Sequence, residues 1–334
     1  VTDRLRVAVV GVGYLGRFHA QKYAALDDLE LVAVCDLDKT RAEAVAAEVG
    51  APAVTDYQDL LGRVDAVSVV VPTEGHFQVA RDFLNAGADV LVEKPFTKTL
   101  AQADELIDLA ARQNRIIQVG HLERFNPVVQ DLYGELEDPV FFECTRVARY
   151  KARSLDVDVV MDLMIHDIDL ILGMVPVDLE LIHAVGVPAV SEVPDMANVR
   201  LVFSNGCVAN VTASRVSLKE ERMMRIFQPT AYFRLDLMRR RLTVIRGVSY
   251  MAGVVPRVKQ ERRRHSEGDP LYAEILAFTD CVRHRVEPYV DGRAGRRAMA
   301  VALEISEQID RHLERIDPQK RRAEVKRWVG LADD

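Results

Sequence analysis

Leu5-Arg6-Val7-Ala8-Val9-Val10-Gly11-Val12-Gly13-Tyr14-Leu15-Gly16 runs from an apolar, β-branched segment straight into a G-x-G-x-x-G triplet. That spacing belongs to a strand-to-helix turn: the first glycine turns the chain, the second lets a pyrophosphate approach, and the third lets helix and strand pack. The helix N-terminus then faces the phosphate charge. Asp36 closes the next β-type segment about 20 residues on, where a carboxylate accepts from the adenosine ribose hydroxyls. It also repels a 2′-phosphate, so NAD is expected over NADP. Lys39 and Arg41 follow and either soften that preference or are solvated first-turn residues of the next helix. Glycines alone end many strands; strand, helix and acid together specify a nucleotide site.

Outward from this turn, β-type runs at 5–10, 29–35, 66–71, 90–92 and 115–119 alternate with helical segments at 14–26, 39–49, 75–86 and 100–113. Strand-helix alternation predicts a Rossmann-type doubly wound parallel sheet, an α/β fold, over residues 1–120. A connecting helix is expected at 121–133, with Asn126-Pro127 near its start. Consecutive strands then follow at 140–149, 179–187, 198–203, 207–214, 222–227, 231–237 and 241–245. They predict a second, α+β domain over 121–334 with a large, mainly antiparallel sheet. Helices at 271–285 and 293–314 should pack back on the body, and 317–334 is charged enough for a peripheral helix.

A chain of 334 residues can bury two cores, and 49% hydrophobic with 28% charged residues is the balance of an ordinary globular protein. A formal charge of -7 argues against a nucleic-acid surface. No apolar run reaches the roughly 20 residues that cross a bilayer, and the first residues lead into a strand rather than a signal peptide. A cytoplasmic protein without a membrane partner is expected. Cys35, Cys144, Cys207 and Cys281 lie far apart with no CxxC pair, so reduced buried thiols are expected rather than zinc or disulfides.

Two further segments carry chemistry. Glu93-Lys94-Pro95 follows an apolar strand, which brings Lys94 to the carboxyl edge of the sheet, where open α/β folds bind ligands. A lysine there stabilises an alkoxide forming from a substrate hydroxyl, or simply pairs with Glu93. The apolar helix expected at 159–173 places Asp162, His166 and Asp169 at offsets of four and seven, on one face. That stripe is either an acid/base centre or a polar seam ordering a core. Histidine takes a proton near neutral pH and a carboxylate fixes its tautomer, but spacing does not separate Asp162 from Asp169 in that duty. His166, Asp167 and Asp169 do not share one direction, which argues against a metal. His121 and Glu123 lie just past the last parallel strand, His19 reads as a packing or cofactor-side residue, and His183, His265 and His284 as structural or exposed.

GVGYLG with Asp36, EKP at 93–95 and D-x-x-x-H at 162–166, in that order, resemble the glucose-fructose oxidoreductase and inositol dehydrogenase (Gfo/Idh/MocA) family over nearly the whole chain. The resemblance implies that Lys94, Asp162 and His166 line a sugar site beside the nicotinamide. His166 would be the base, Lys94 the hydroxyl-polarising group, and Asp162 a substrate contact or orienter of the imidazole. It also implies a cis Lys94–Pro95 bond. The expected cofactor contacts are Gly11, Gly13, Tyr14, Leu15, Gly16, Asp36, Pro72, Thr73, His76, Glu93 and Lys94. The expected substrate contacts are Lys94, Arg124, Arg149, Asp162 and His166. Segments 120–127 and 161–170 look most like members that oxidise the 3-hydroxyl of UDP-N-acetylglucosamine. The alternatives are a free-sugar or inositol dehydrogenase and a non-catalytic NAD-binding metabolite sensor. A UDP-sugar calls for cations on the second-domain side, with Arg124, Arg149, Lys151 and Arg153 as candidates, each otherwise a solvated charge. The basic run 257–264 reads as an anion-binding loop or a solvated face. A homodimer or homotetramer assembled through the second-domain sheet is expected.

Overall fold

A computed structural model describes residues 4–150, 157–247 and 258–315. The first sheet contains β1 (Leu5–Val10), β2 (Leu29–Cys35), β3 (Ala53–Val54), β4 (Ala66–Val69), β5 (Asp89–Glu93) and β6 (Ile117–Gly120). All are parallel, in the order β3-β2-β1-β4-β5-β6. The crossovers are α1 (Tyr14–Ala24), α2 (Lys39–Val49), α3 (Thr73–Asn85) and α4 (Leu100–Gln113). Every residue of β4 and β5 is buried, as in a sheet covered on both faces. Strand order reverses between β1 and β4, and the turns after these two strands, at residues 11–13 and 70–72, therefore flank the switch point where such sheets bind ligands. The two-residue β3 was too short to show a period in the sequence.

The second sheet contains β7 (Phe141–Val147), β8 (Leu179–Val187), β9 (Met196–Phe203), β10 (Val208–Ser214), β11 (Glu221–Gln228), β12 (Ala231–Asp236), β13 (Arg241–Gly247) and β14 (Val258–Arg264). Its order is β14-β13-β12-β11-β7-β10-β9-β8, with β7 and β10 as its parallel pair. The expected connecting helix is divided: a 3-10 turn at Leu122–Phe125 precedes α5 (Pro127–Tyr133), because Asn126 caps α5 through its side chain. The expected uniform helix at 159–173 is corrected too. Val160–Met164 forms a π turn that passes into α6 (Ile165–Met174). The described part of the basic run 257–264 is β14, an edge strand rather than a loop. Its Arg263 pairs with Asp131 at 3.0 Å and with Glu135, so its charge is spent within the fold.

After β14 come α7 (Pro270–His284) and α8 (Gly292–Glu314). Described residues through Phe125 and those from Gly268 to Met299 form one compact unit; those from Asn126 to Glu267 and from Ala300 on form the other. The first unit thus runs past residue 120, because the 3-10 turn and α1 both pack on α7. Gln118 Nε2 also donates to the Glu274 carbonyl of α7 at 3.1 Å. All four cysteines are buried thiols, and burial pushes Cys35 up to about 12 and Cys207 to about 11. Among the described residues no helix is long and apolar enough to cross a membrane. The segment 317–334 lies outside the described residues.

Candidate functional site

The nucleotide cradle is built at the end of β1. Gly11 sits at φ 88°, and a Cβ there would fall 2.6 Å from the Val70 carbonyl oxygen. A Cβ on Gly16 would fall 1.8 Å from the Gly11 oxygen, so helix and turn are in backbone contact. Gly13 is different: a Cβ there meets nothing within 4 Å, and α1 begins beside it with no side-chain cap. Open space faces helix-terminal N–H groups, which is what a pyrophosphate needs. Asp36, 8% exposed, accepts from Val12 N at 3.0 Å and from Asp38 N at 2.9 Å. Arg41 Nη1 donates to the same carboxylate at 3.2 Å. The acid is thereby held in the turn that it would share with a ribose. Tyr14 is exposed and Leu15 partly buried on the first turn of α1, while Pro72 and Thr73 begin α3. These residues fit a dinucleotide.

Two expected cofactor contacts are turned elsewhere. His76 is buried with both ring nitrogens on main-chain oxygens, Nδ1 at 2.9 Å from Pro95 O and Nε2 at 2.8 Å from Val71 O. It sits between the turn after β4 and the turn after β5; burial holds its pKa below the usual value, and the neutral ring donates its one N–H to one of the two carbonyls. The Glu93 carboxylate is also buried, 3.2 Å from His19 Nε2 and 3.2 Å from the Lys94 amide nitrogen. Burial pushes this carboxyl up, but His19 and Lys94 outweigh it and hold it below the ordinary range. Lys94 itself is partly exposed at the end of β5, and its bond to Pro95 is cis.

In the second unit Asp162 lies in the π turn and His166 in the first turn of α6, both partly exposed. Asp167 and Asp169 are buried, 2% and 1% exposed, so Asp162 and His166 are the pair of this stripe that a ligand can reach. Asp167 has a structural duty: Arg146 of β7, also buried, grips it through Nε at 2.8 Å and Nη2 at 3.0 Å. Asp158 fixes the helix entry by accepting from Val160 N and Met161 N, each at 2.9 Å. A one-turn π segment inside a helix is frequent at functional sites.

The cationic candidates separate. Arg149 is exposed just after β7. Arg124 belongs to the first unit, not the second-domain side, and is buried with its guanidinium 5.6 Å from the Tyr289 ring centroid. Lys151 and Arg153 lie outside the described residues. His121 and Glu123 are buried, His183 is exposed on β8, His284 Nδ1 donates to the Asp280 carbonyl within α7 at 2.9 Å, and His265 bonds Asp131 at 2.9 Å. His19, read from the sequence as a packing or cofactor-side residue, is fully buried between Ser68 and Glu93, partners that the sequence reading did not name. The signal was the His19/Tyr23 pair one turn apart on the core face of α1, opposite a strand ending in an acid.

Comparison with known proteins agrees with both units. The family model described as "Oxidoreductase family, NAD-binding Rossmann fold" matches residues 5–121, and the "GFO/IDH/MocA C-terminal domain" matches residues 134–233. UDP-N-acetylglucosamine 3-dehydrogenase of Acidithiobacillus ferrooxidans is 42% identical over 316 residues, 93% of this chain and 99% of that protein. A solved structure of that enzyme superposes with a TM-score of 0.89, covering 94% of this chain and 100% of the other. Inositol 2-dehydrogenase 1 of Saccharopolyspora erythraea is 36% identical, but over 42% of this chain and 45% of its own length. The chain belongs to the Gfo/Idh/MocA family of oxidoreductases.

Proposed function

We propose that this protein oxidises the 3-hydroxyl of UDP-N-acetylglucosamine to the 3-keto sugar with NAD. The observation that carries the reading is the end-to-end likeness to a UDP-N-acetylglucosamine 3-dehydrogenase, 42% identical over 93% of this chain and 99% of that protein. Bound at Gly11–Gly16 and Asp36, NAD supplies the hydride acceptor. Gly13 leaves space for the pyrophosphate, the start of α1 offers it N–H donors, and Asp36 accepts from the ribose. Its buried charge disfavours a 2′-phosphate, which supports NAD over NADP.

On the sugar, the His166 imidazole takes the hydroxyl proton as the carbon–hydrogen bond is lost, and Lys94 donates to the oxygen as its charge grows. Asp162 either orients the imidazole or meets the sugar. Arg149, exposed after β7, is the described cation suited to the substrate's phosphates. Retention of Lys94, Asp162 and His166 argues against a sensor that binds NAD without turnover. The outward side of the second sheet carries the packed rings of Phe141, Phe227 and Tyr232, with Phe227 39% exposed, which supports assembly of copies through that face.

The test incubates the purified protein with NAD and, separately, UDP-N-acetylglucosamine, other UDP-sugars, free glucose and myo-inositol, and follows reduced cofactor by absorbance. Reduction with UDP-N-acetylglucosamine well above the others supports the reading. Preference for a free sugar or cyclitol overturns it.

A further inference from the structure

Behind Lys94 lies a line of buried polar groups that hydride transfer does not itself require. Tyr23 Oη is 2.8 Å from Ser68 Oγ, which is 3.2 Å from His19 Nδ1. His19 Nε2 is 3.2 Å from Glu93 Oε1, and Glu93 Oε2 is 3.2 Å from the Lys94 amide nitrogen. All four side chains are buried, from two crossing elements of one unit, α1 and the sheet. One direction satisfies each link. Tyr23 donates to Ser68, Ser68 donates to Nδ1, Nε2–H donates to the carboxylate, and Lys94 N–H donates to its other oxygen. Burial pushes the Tyr23 hydroxyl well up, so it stays a donor. Gly120 makes room for the arrangement, because a Cβ there would fall 2.9 Å from the Glu93 carboxylate.

We propose that His19 and Glu93 are positioning residues for Lys94: the imidazole fixes the carboxylate, and the carboxylate holds the Lys94 main chain and sets a negative charge beside its amine. This rests on the proposed role of Lys94 in hydroxyl oxidation. A buried ionised carboxylate is costly unless it serves or is served by its neighbours, and here two donors meet it at the residue before the reacting lysine. The attraction between Glu93 and Lys94 is mutual: it helps keep the carboxyl ionised, and it favours the protonated amine. The other titratable groups facing Glu93 are His19 of α1, His76 of α3 and Glu274 of α7, and Tyr23 of α1 lies next to Ser68 and Glu274 in the same cluster. The Glu274 carboxyl has an oxygen within 4.8 Å of a His19 ring nitrogen and of a Glu93 carboxylate oxygen, so the cluster holds a second buried acid.

The test uses the full-length protein and the isosteric variant Glu93→Gln, with His19→Leu and His19→Gln. Competitive acylation with acetic anhydride across pH, read by peptide mass, reports the titration of Lys94 without substrate. The expected result is a Lys94 midpoint moved down by about one pH unit in Glu93→Gln. In NAD-linked oxidation of UDP-N-acetylglucosamine, kcat falls about 10- to 100-fold in Glu93→Gln and His19→Leu, while NADH affinity stays within about threefold. His19→Gln, which still donates to the carboxylate, recovers part of the loss. Ser68→Ala, which removes only the support of Nδ1, shifts kcat less and in the same direction, and serves if the His19 variants do not fold. A folded Glu93→Gln with an unmoved Lys94 midpoint overturns the proposal and leaves the cluster a purely structural one. Should the wild-type protein oxidise none of the sugars, the functional reading fails while the labelling still decides this one.

Discussion

Asp36 holds its own turn together, because its carboxylate accepts from Val12 N and Asp38 N, and the same carboxylate is the proposed ribose contact. Asp36→Ala should therefore weaken NAD binding and narrow the gap between NAD and NADP, with about 1–3 kcal/mol of stability lost from the two stranded amides. Titrating both cofactors checks it; an unchanged affinity ratio would remove the ribose assignment. His166→Ala should lower kcat by roughly 10²–10⁴-fold with NADH affinity nearly intact. The acid limb of the rate profile, where the base is protonated, should vanish or move in that variant. If turnover and acid limb both persist, the base lies elsewhere. At this scale the sequence placed Asp36 and Lys94 correctly at the ends of parallel strands, because a strand's limits can be read from its apolar run. It did not show that Glu93 and His76 are buried on protein partners, since His19 and the Pro95 carbonyl lie far off along the chain.

The elements that carry Asp162 and His166 are held by buried charge. Arg146 and Asp167 are 3% and 2% exposed, so Arg146→Ala should cost about 3–5 kcal/mol in denaturant unfolding, because it strands a carboxylate under α6. A loss below about 1 kcal/mol, the range of exposed pairs such as Arg225–Glu143, would show that α6 does not depend on this pair. Asp195 gives a pH dependence. Burial pushes its carboxyl up, but the Val190 and Ser191 amides and Arg215 hold it below the usual value. A depressed carboxyl stabilises the fold above its unfolded pKa, and that contribution is lost as pH falls through the lower folded pKa. Asp195→Asn should thus be less stable near neutrality and lose less between pH about 5 and 2; parallel acid-side slopes in the two proteins would contradict this. Most of these elements were readable from period and caps, and β2, α2, α4 and β8 kept their expected limits. The π turn was not, because a 3.6-residue period cannot distinguish one wider turn from its neighbours. Nor was β14, whose charged sequence lacks the alternation of a half-buried strand and is paid for by Asp131 and Glu135.

For the whole molecule, strand-helix alternation followed by consecutive strands was sufficient to give a parallel sheet and then a mainly antiparallel one, while the sixth strand of the first (β3) and the eighth of the second (β14) came only from the structure. The return of 268–299 to the first unit is a matter of long-range packing, such as Gln118 against Glu274, and local pattern holds no record of it. The motifs gave the family, and the match along 93% of the chain gives the sugar nucleotide its support. The central claim is that hydride leaves carbon 3 of UDP-N-acetylglucosamine for NAD, and it is tested most directly with substrate deuterated at carbon 3. The account predicts slower reduction than with unlabelled substrate and deuterium recovered in the reduced cofactor. Reduced cofactor that carries no deuterium, or no reduction at all under conditions where NAD binds, would contradict it.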